Sequence, residues 1–202
     1  MFVVGLCGGT ASGKTTVAES LKKYFKDRIE LLACDNYYYS HPELSYEERK
    51  KVNYDLPESI DIQRIIEDIN NLKAGNVIQQ PVFSFKTLLQ ENETIITKPA
   101  PILIVDGIFL LYYPILRDCC DIKVFIDTDP EVRFARRIIR DTTVHNRSLE
   151  FVINQYLTMA KPMHGIYVEP YKKYADIILP FNESEEKRIN LLVRLIENNM
   201  TK

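Results

Sequence analysis

Paired metal-ligand spacing is missing from this 202-residue chain. Cys7, Cys34, Cys119 and Cys120 form no C-x-x-C pair, and His41, His145 and His164 show no ligand spacing, which excludes a zinc-type site. The four thiols read instead as reduced, half-buried cysteines of a cytoplasmic protein. Charge of one sign is lacking too. Twenty-six Lys and Arg against 28 Asp and Glu leave a net charge of -2, with no bulk pull toward nucleic acid or an anionic membrane. The longest apolar region, Ala100 to Leu116, is cut by Asp106 and two prolines, so no membrane span is expected. The N-terminus has neither a basic leader region nor a small-residue cleavage site, and no repeat or low-complexity tract occurs. A chain of this length fits a single domain, 1–202, with a substantial core.

What is present begins at residue 8. Gly8-Gly9-Thr10-Ala11-Ser12-Gly13-Lys14-Thr15 reads G-x-x-x-x-G-K-T. The run Phe2-Val3-Val4-Gly5-Leu6 before it is short, apolar and β-branched, as a buried strand is. After it, Val17, Ala18, Leu21, Tyr24 and Phe25 recur at helical spacing. Strand, glycine loop and helix are the setting that a phosphate-binding P-loop requires. Glycines let backbone N–H groups converge on phosphate oxygens, and the helix N-terminus adds positive potential. Lys14 reaches the outer phosphates and the Thr15 hydroxyl suits Mg2+, with Thr16 completing the binding stretch. A nucleoside triphosphate, ATP or GTP, is the expected ligand.

Further strand-like runs occur at Glu30–Ala33, Ile102–Val105, Lys123–Ile126 and Asp176–Leu179. Amphipathic stripes lie between or after them: Ile62, Ile65, Ile66, Ile69 and Leu72, ended by Gly75; Val132, Ala135, Ile138 and Ile139; and Ile189, Leu192, Val193 and Ile196. This alternation predicts a three-layer α/β/α domain of the P-loop type, with five parallel strands covered on both faces. Residues 76–99 break the rhythm. Val77-Ile78, Pro81–Phe85 and Glu93–Thr97 predict a β-hairpin flap inserted into the core.

Several groups could carry chemistry at the strand ends. Asp106 closes the run Ile102–Val105, a position that in P-loop proteins faces Mg2+ or its water shell. Asp35 follows the second run. It suits either a general base for an attacking hydroxyl or an Asx turn capping the next segment. Arg133, Arg136, Arg137 and Arg140 crowd one helix within a predicted lid region, 130–150, and Arg147 lies just beyond the helix. Arg137 and Arg140 share a face and suit phosphoryl stabilisation, whereas Arg133 and Arg136 read as a solvated surface. Tyr37, Tyr38, Tyr39, Tyr54, Phe83 and Phe85 lie on loops and flap, which suits a flat ligand held by stacking.

The strings Gly8–Thr15, Asp35-Asn36-Tyr37-Tyr38, Asn53-Tyr54-Asp55-x-Pro57, Pro81–Phe85, Asp106-Gly107-Ile108, Phe125–Asp129, Arg136-Arg137-x-x-Arg140-Asp141, Gln155-Tyr156, Lys161-Pro162 and Lys172–Asp176 together resemble the uridine kinase (uridine–cytidine kinase) family of P-loop nucleoside kinases. The resemblance runs from Gly5 to about Pro180. It implies Mg2+-dependent transfer of the ATP γ-phosphate to the 5′-hydroxyl of uridine or cytidine, as in pyrimidine salvage, by a cytoplasmic dimer or tetramer. It implies that Asp35 is the base, that Asp55 and Arg137 grip the ribose hydroxyls, and that Arg147 and Gln155 add nucleoside contacts. Tyr38 and Tyr54 would form aromatic walls, Arg140 a phosphate-facing lid residue, and Asp106 the acid beside the metal. The sequence also departs from the family. The flap there reads Tyr-Asp-Phe-x-x-His, but Phe83 and Leu88 occupy the positions whose Tyr and His meet the pyrimidine edge, and Phe85 keeps the intervening Phe. His145-Asn146 stands where Arg-Gly is usual. Weak choice between uridine and cytidine is the expected result. Two other readings remain: a kinase of the same group acting on another small hydroxyl acceptor, and a nucleotide-binding switch without transfer activity.

Overall fold

The computed structural model describes residues 1–180 and 183–200. The elements, in chain order, are β1 (Phe2–Cys7), α1 (Lys14–Phe25), β2 (Ile29–Ala33), α2 (Tyr46–Arg49), α3 (Ile62–Lys73), β3 (Ile78–Ser84), β4 (Leu89–Thr97), β5 (Ile102–Asp106), α4 (Pro114–Cys119), β6 (Ile122–Asp127), α5 (Pro130–Thr143), α6 (Leu149–Gln155), α7 (Lys161–Tyr167), β7 (Ile177–Pro180) and α8 (Glu185–Met200). Five strands form one parallel sheet in the order β2-β5-β1-β6-β7, as the alternation predicts. No described helix is long and apolar enough to cross a membrane.

Two apolar layers sandwich this sheet, and β5 shows why. All five of its residues are buried; Ile102 and Ile104 face one layer, Leu103 and Val105 the other. The first layer is completed by Val17, Leu21, Leu192 and Ile196 from α1 and α8. The second is completed by Ile65, Ile69 and Leu72 from α3 with Leu111 and Leu116. Three of the four thiols, Cys7, Cys34 and Cys120, are wholly buried rather than half-buried.

Strand register sets the rim that matters. Asp106 lies opposite Leu6 on one side and Ala33 on the other. The loop after β1 and the turn after β2 therefore leave the sheet beside the same carboxylate. β3 and β4 pair antiparallel as a separate two-stranded sheet, with an irregularity between Pro81 and Phe83. The second strand starts at Leu89, four residues before the predicted Glu93, because Leu89 and Gln90 find ladder partners in Ser84 and Phe83 despite weak strand propensity.

Helix α5 overturns one expectation. Its apolar stripe is not its packed face: Ile139 is 63% exposed, while Arg133, Arg137 and Asp141, spaced i, i+4 and i+8, are buried. Arg133 in particular is not solvated. It is 4% exposed, and its Nε donates to the Thr128 carbonyl at 3.0 Å. Burial of the other two is tolerated because Arg137 and Asp141 pair with each other at 3.5 Å.

Candidate active site

The P-loop is shaped by two glycines at conformations that side chains resist. Gly13 has φ 101° as it opens α1, and Gly8 has φ 148° with the Ile126 carbonyl only 2.7 Å from where its Cβ would stand. The Thr128 hydroxyl, at the end of β6, braces the loop by donating to the Ser12 carbonyl at 2.8 Å. Lys14 is almost covered, and its Nζ donates to the Gly8 and Gly9 carbonyls at 3.2 and 3.3 Å. Next to it, the Thr15 hydroxyl donates to Asp106 Oδ2 at 3.2 Å. Burial pushes the Asp106 carboxyl up to about 6, although the Lys14 ammonium and the Thr15 hydroxyl pull it down.

Asp35 stands on the short turn Cys34–Tyr37 that follows β2. Its Oδ1 is buried without a hydrogen-bond partner, and no backbone amide caps its carboxylate among the described residues. The Asx-turn alternative is therefore not realised. Burial raises its pKa, opposed by Lys14 and Arg140. A buried, unpartnered carboxylate oxygen is costly, and such groups concentrate where chemistry needs them.

A cavity of about 430 Å3 opens from the P-loop past Asp35. Its walls bring together Thr10 to Thr16, Tyr38, Tyr54, Asp55, Phe85, Leu88, Arg137, Arg140, Arg147 and Gln155. Asp106 lies just behind, bonded to Thr15. Three of the six singled-out aromatics are elsewhere. Tyr37 is buried with its hydroxyl donating to Asp68 at 2.7 Å, Tyr39 is exposed, and Phe83 packs behind the wall. The Phe83 ring lies 5.4 Å from Tyr38, 5.6 Å from Tyr54 and 5.4 Å from Phe85, so it shapes the cavity without lining it. Leu88 does line it, with its backbone at φ 57° in the hairpin turn. A leucine is strained there, and its amide is held by the Ser84 carbonyl at 2.7 Å.

Asp141, which the sequence offers only as a pairing partner on a solvated arginine face, is instead buried among those arginines. It is 1% exposed and gathers three arginines: Arg140 Nε at 2.7 Å, and Arg137 Nε and Arg147 Nη1 at 3.5 Å each. Gln155 Oε1 accepts from Arg137 at 3.0 Å and from Arg147 at 3.2 Å. Arg137 also reaches Asp55 at 3.9 Å, where burial has raised the carboxyl's pKa against that guanidinium's pull. The signal was available, since Asp141 sits four residues after Arg137 on one helix face. Arg136, expected in solvent, also borders the cavity, as do His145, Glu185 and Arg188.

A P-loop opening a helix, an acid one strand away bonded to the loop threonine, and a cavity beyond define a P-loop phosphotransferase-type α/β domain. A model of the Phosphoribulokinase / Uridine kinase family matches residues 3–186, and the chain belongs to that family. It is 41% identical over 201 residues to a uridine kinase of Staphylococcus haemolyticus (strain JCSC1435), covering 99% of this chain and 97% of that protein. A uridine kinase of Staphylococcus aureus (strain JH9) is 39% identical over the same length. Among solved structures, phosphoribulokinase from Rhodobacter spheroides superposes with a TM-score of 0.62 at 8% identity, covering 89% of this chain and 69% of that one.

Proposed function

We propose that this protein is a nucleoside kinase of the uridine kinase type, transferring the γ-phosphate of ATP or GTP to the 5′-hydroxyl of uridine or cytidine. The observation that carries this reading is the unpartnered carboxylate of Asp35, set beside the P-loop on the wall of a cavity that can take an acceptor. A switch or simple NTPase has no need of such a pocket.

Each part has work to do. The loop amides and Lys14 hold the triphosphate, the ammonium trading the Gly8 and Gly9 carbonyls for phosphate oxygens. Asp35 takes the proton of the 5′-hydroxyl as its oxygen bonds to the γ-phosphorus and the bond to the leaving diphosphate breaks. A carboxyl whose pKa is raised by burial is a stronger base than one in water. Asp55 accepts from the ribose hydroxyls with Arg137 beside it. Arg140, 44% exposed at its side chain, lines the same cavity and offsets the charge of the transferring group. Thr15 and Asp106 present two oxygens at 3.2 Å, a hard donor pair that fits Mg2+. Mg2+ there would neutralise charge on the β- and γ-phosphate oxygens. A dimer or tetramer in the cytoplasm goes with the same reading.

An ATP-consumption panel tests it. Uridine and cytidine should drive turnover, whereas glycerate, pantothenate and sugar phosphates should not. Turnover with one of those acids or sugars alone would move the assignment to another acceptor, and turnover with none would favour the switch.

A further inference from the structure

The hydrogen-bonding groups at the inner end of the cavity are nearly all committed. Asp141 is held by three arginines, Gln155 Oε1 accepts twice, and Arg147 is spent on Asp141, Gln155 and the Phe85 carbonyl at 2.9 Å. The hairpin contributes only Phe85 and Leu88 to this wall, neither with a polar side chain. Arg137 Nε and Asp141 Oδ2 make no hydrogen bond but face each other as an ion pair at 3.5 Å, and outside that ion cluster two groups at this end lack a partner. The Tyr54 hydroxyl has no partner but is fully covered by its surroundings. His145 is half-buried, lines the cavity, and makes no hydrogen bond through either ring nitrogen among the described residues. Its ring sits 5.5 Å from Phe85 at 43°. Asn146, at φ 53°, turns the chain directly after it, a conformation that asparagine tolerates better than most residues.

We propose that His145 is the base-reading residue of the acceptor site, hydrogen-bonding the edge of the pyrimidine that the apolar hairpin wall leaves unread. The inference rests on the nucleoside kinase reading above. Burial lowers the imidazole's pKa, and Arg140, Arg147 and Arg137 lower it further against the pull of Asp141, so the ring is neutral at pH 7. A neutral imidazole carries one donor and one acceptor, and its tautomers exchange them. Through one ring nitrogen it therefore either accepts from N3–H or donates to O4 of uracil, and either donates to N3 or accepts from N4–H of cytosine. The polar reader has moved from the hairpin to the segment after α5. The pocket should thus bind both pyrimidines in the ordinary way while choosing poorly between them.

The test is steady-state kinetics of wild type, His145→Phe and His145→Gln with uridine, cytidine and ATP varied in turn. His145→Phe keeps a ring against Phe85 but no hydrogen bond. It should raise KM for both nucleosides about two- to twelvefold, the worth of one net hydrogen bond, and leave KM for ATP unchanged. His145→Gln returns a donor and an acceptor and should recover part of the loss. An unchanged nucleoside KM in His145→Phe, or a rise confined to ATP, overturns the assignment of His145 while leaving the kinase reading intact. A wild type that turns over neither nucleoside overturns both.

Discussion

Asp141 and Arg140 are adjacent in sequence yet differ in side-chain exposure from 1% to 44%, and they are joined at 2.7 Å. One carboxylate thus ties a surface guanidinium to two buried ones. Asp141→Asn keeps the shape and removes the charge, leaving Arg137 and Arg147 without their shared anion. Breaking a buried pair from one side costs about 3–5 kcal/mol. The expected outcome is a lower Tm together with a raised nucleoside KM, read by thermal denaturation and kinetics on the same preparation. A variant with wild-type Tm would show that the arginines do not depend on this anchor.

Asp35→Asn and Lys14→Ala should both stop transfer, by different routes. Losing the base lowers kcat by about 10²–10⁴-fold while ATP binding stays nearly intact. Losing the ammonium weakens ATP binding itself. Calorimetric titration of ATP into the two variants separates these cases, and wild-type turnover by Asp35→Asn would remove Asp35 from the mechanism.

Asp55 should make the sugar choice. Its carboxylate is 3.9 Å from Arg137 and has no other ion-pair partner among the described residues. Deoxyribosides, lacking the hydroxyl that would satisfy it, should show kcat/KM roughly ten- to a hundredfold lower, the cost of about 1–3 kcal/mol for an unmet buried acceptor. Equal values for ribo- and deoxyribosides would be the contrary result.

His164 supplies a pH dependence of stability. Burial and the neighbouring Arg133 hold its pKa down at about 4, against an ordinary 6.5, despite Glu169 at 3.2 Å. Its neutral form is favoured in the folded state. Between about pH 6.5 and 4 the unfolded chain binds the extra proton, so stability falls as pH drops through that window. The slope is at most about 1.4 kcal/mol per pH unit. Urea denaturation at pH 7 and pH 5 should show a smaller loss for His164→Gln than for wild type. Identical losses would exclude His164 as the source.

Five strands, the phosphate loop and the acids at the ends of β2 and β5 were legible because each obeys a local rule: apolar runs of strand length, glycines before a helix, a carboxylate at a strand end. The arginine cluster around Asp141 was not. Amphipathic reasoning assigns charges to solvent, so it placed Arg133 outside and took Val132, Ala135, Ile138 and Ile139 as the packed face. What reverses that helix is pairing between side chains, including Gln155 on α6, that no single helical stripe records. Tyr37 and Phe83 were misplaced for a related reason. Aromatic content marks a pocket region, but which rings line it and which support it depends on packing from behind.

The pairing of Asp106 with Leu6 and Ala33 makes the sheet a measuring device. Because side chains alternate faces along a strand, sliding β5 by one residue would turn Ile102 and Ile104 toward the layer now met by Leu103 and Val105. The same slide would shift the Asp106 backbone by about 3.3 Å along the strand and break its contact with the Thr15 hydroxyl. Misalignment of the reactive rim thus carries the full energetic penalty of a mispacked interior, and the accuracy of the chemistry is guaranteed by methyl groups that never touch a substrate.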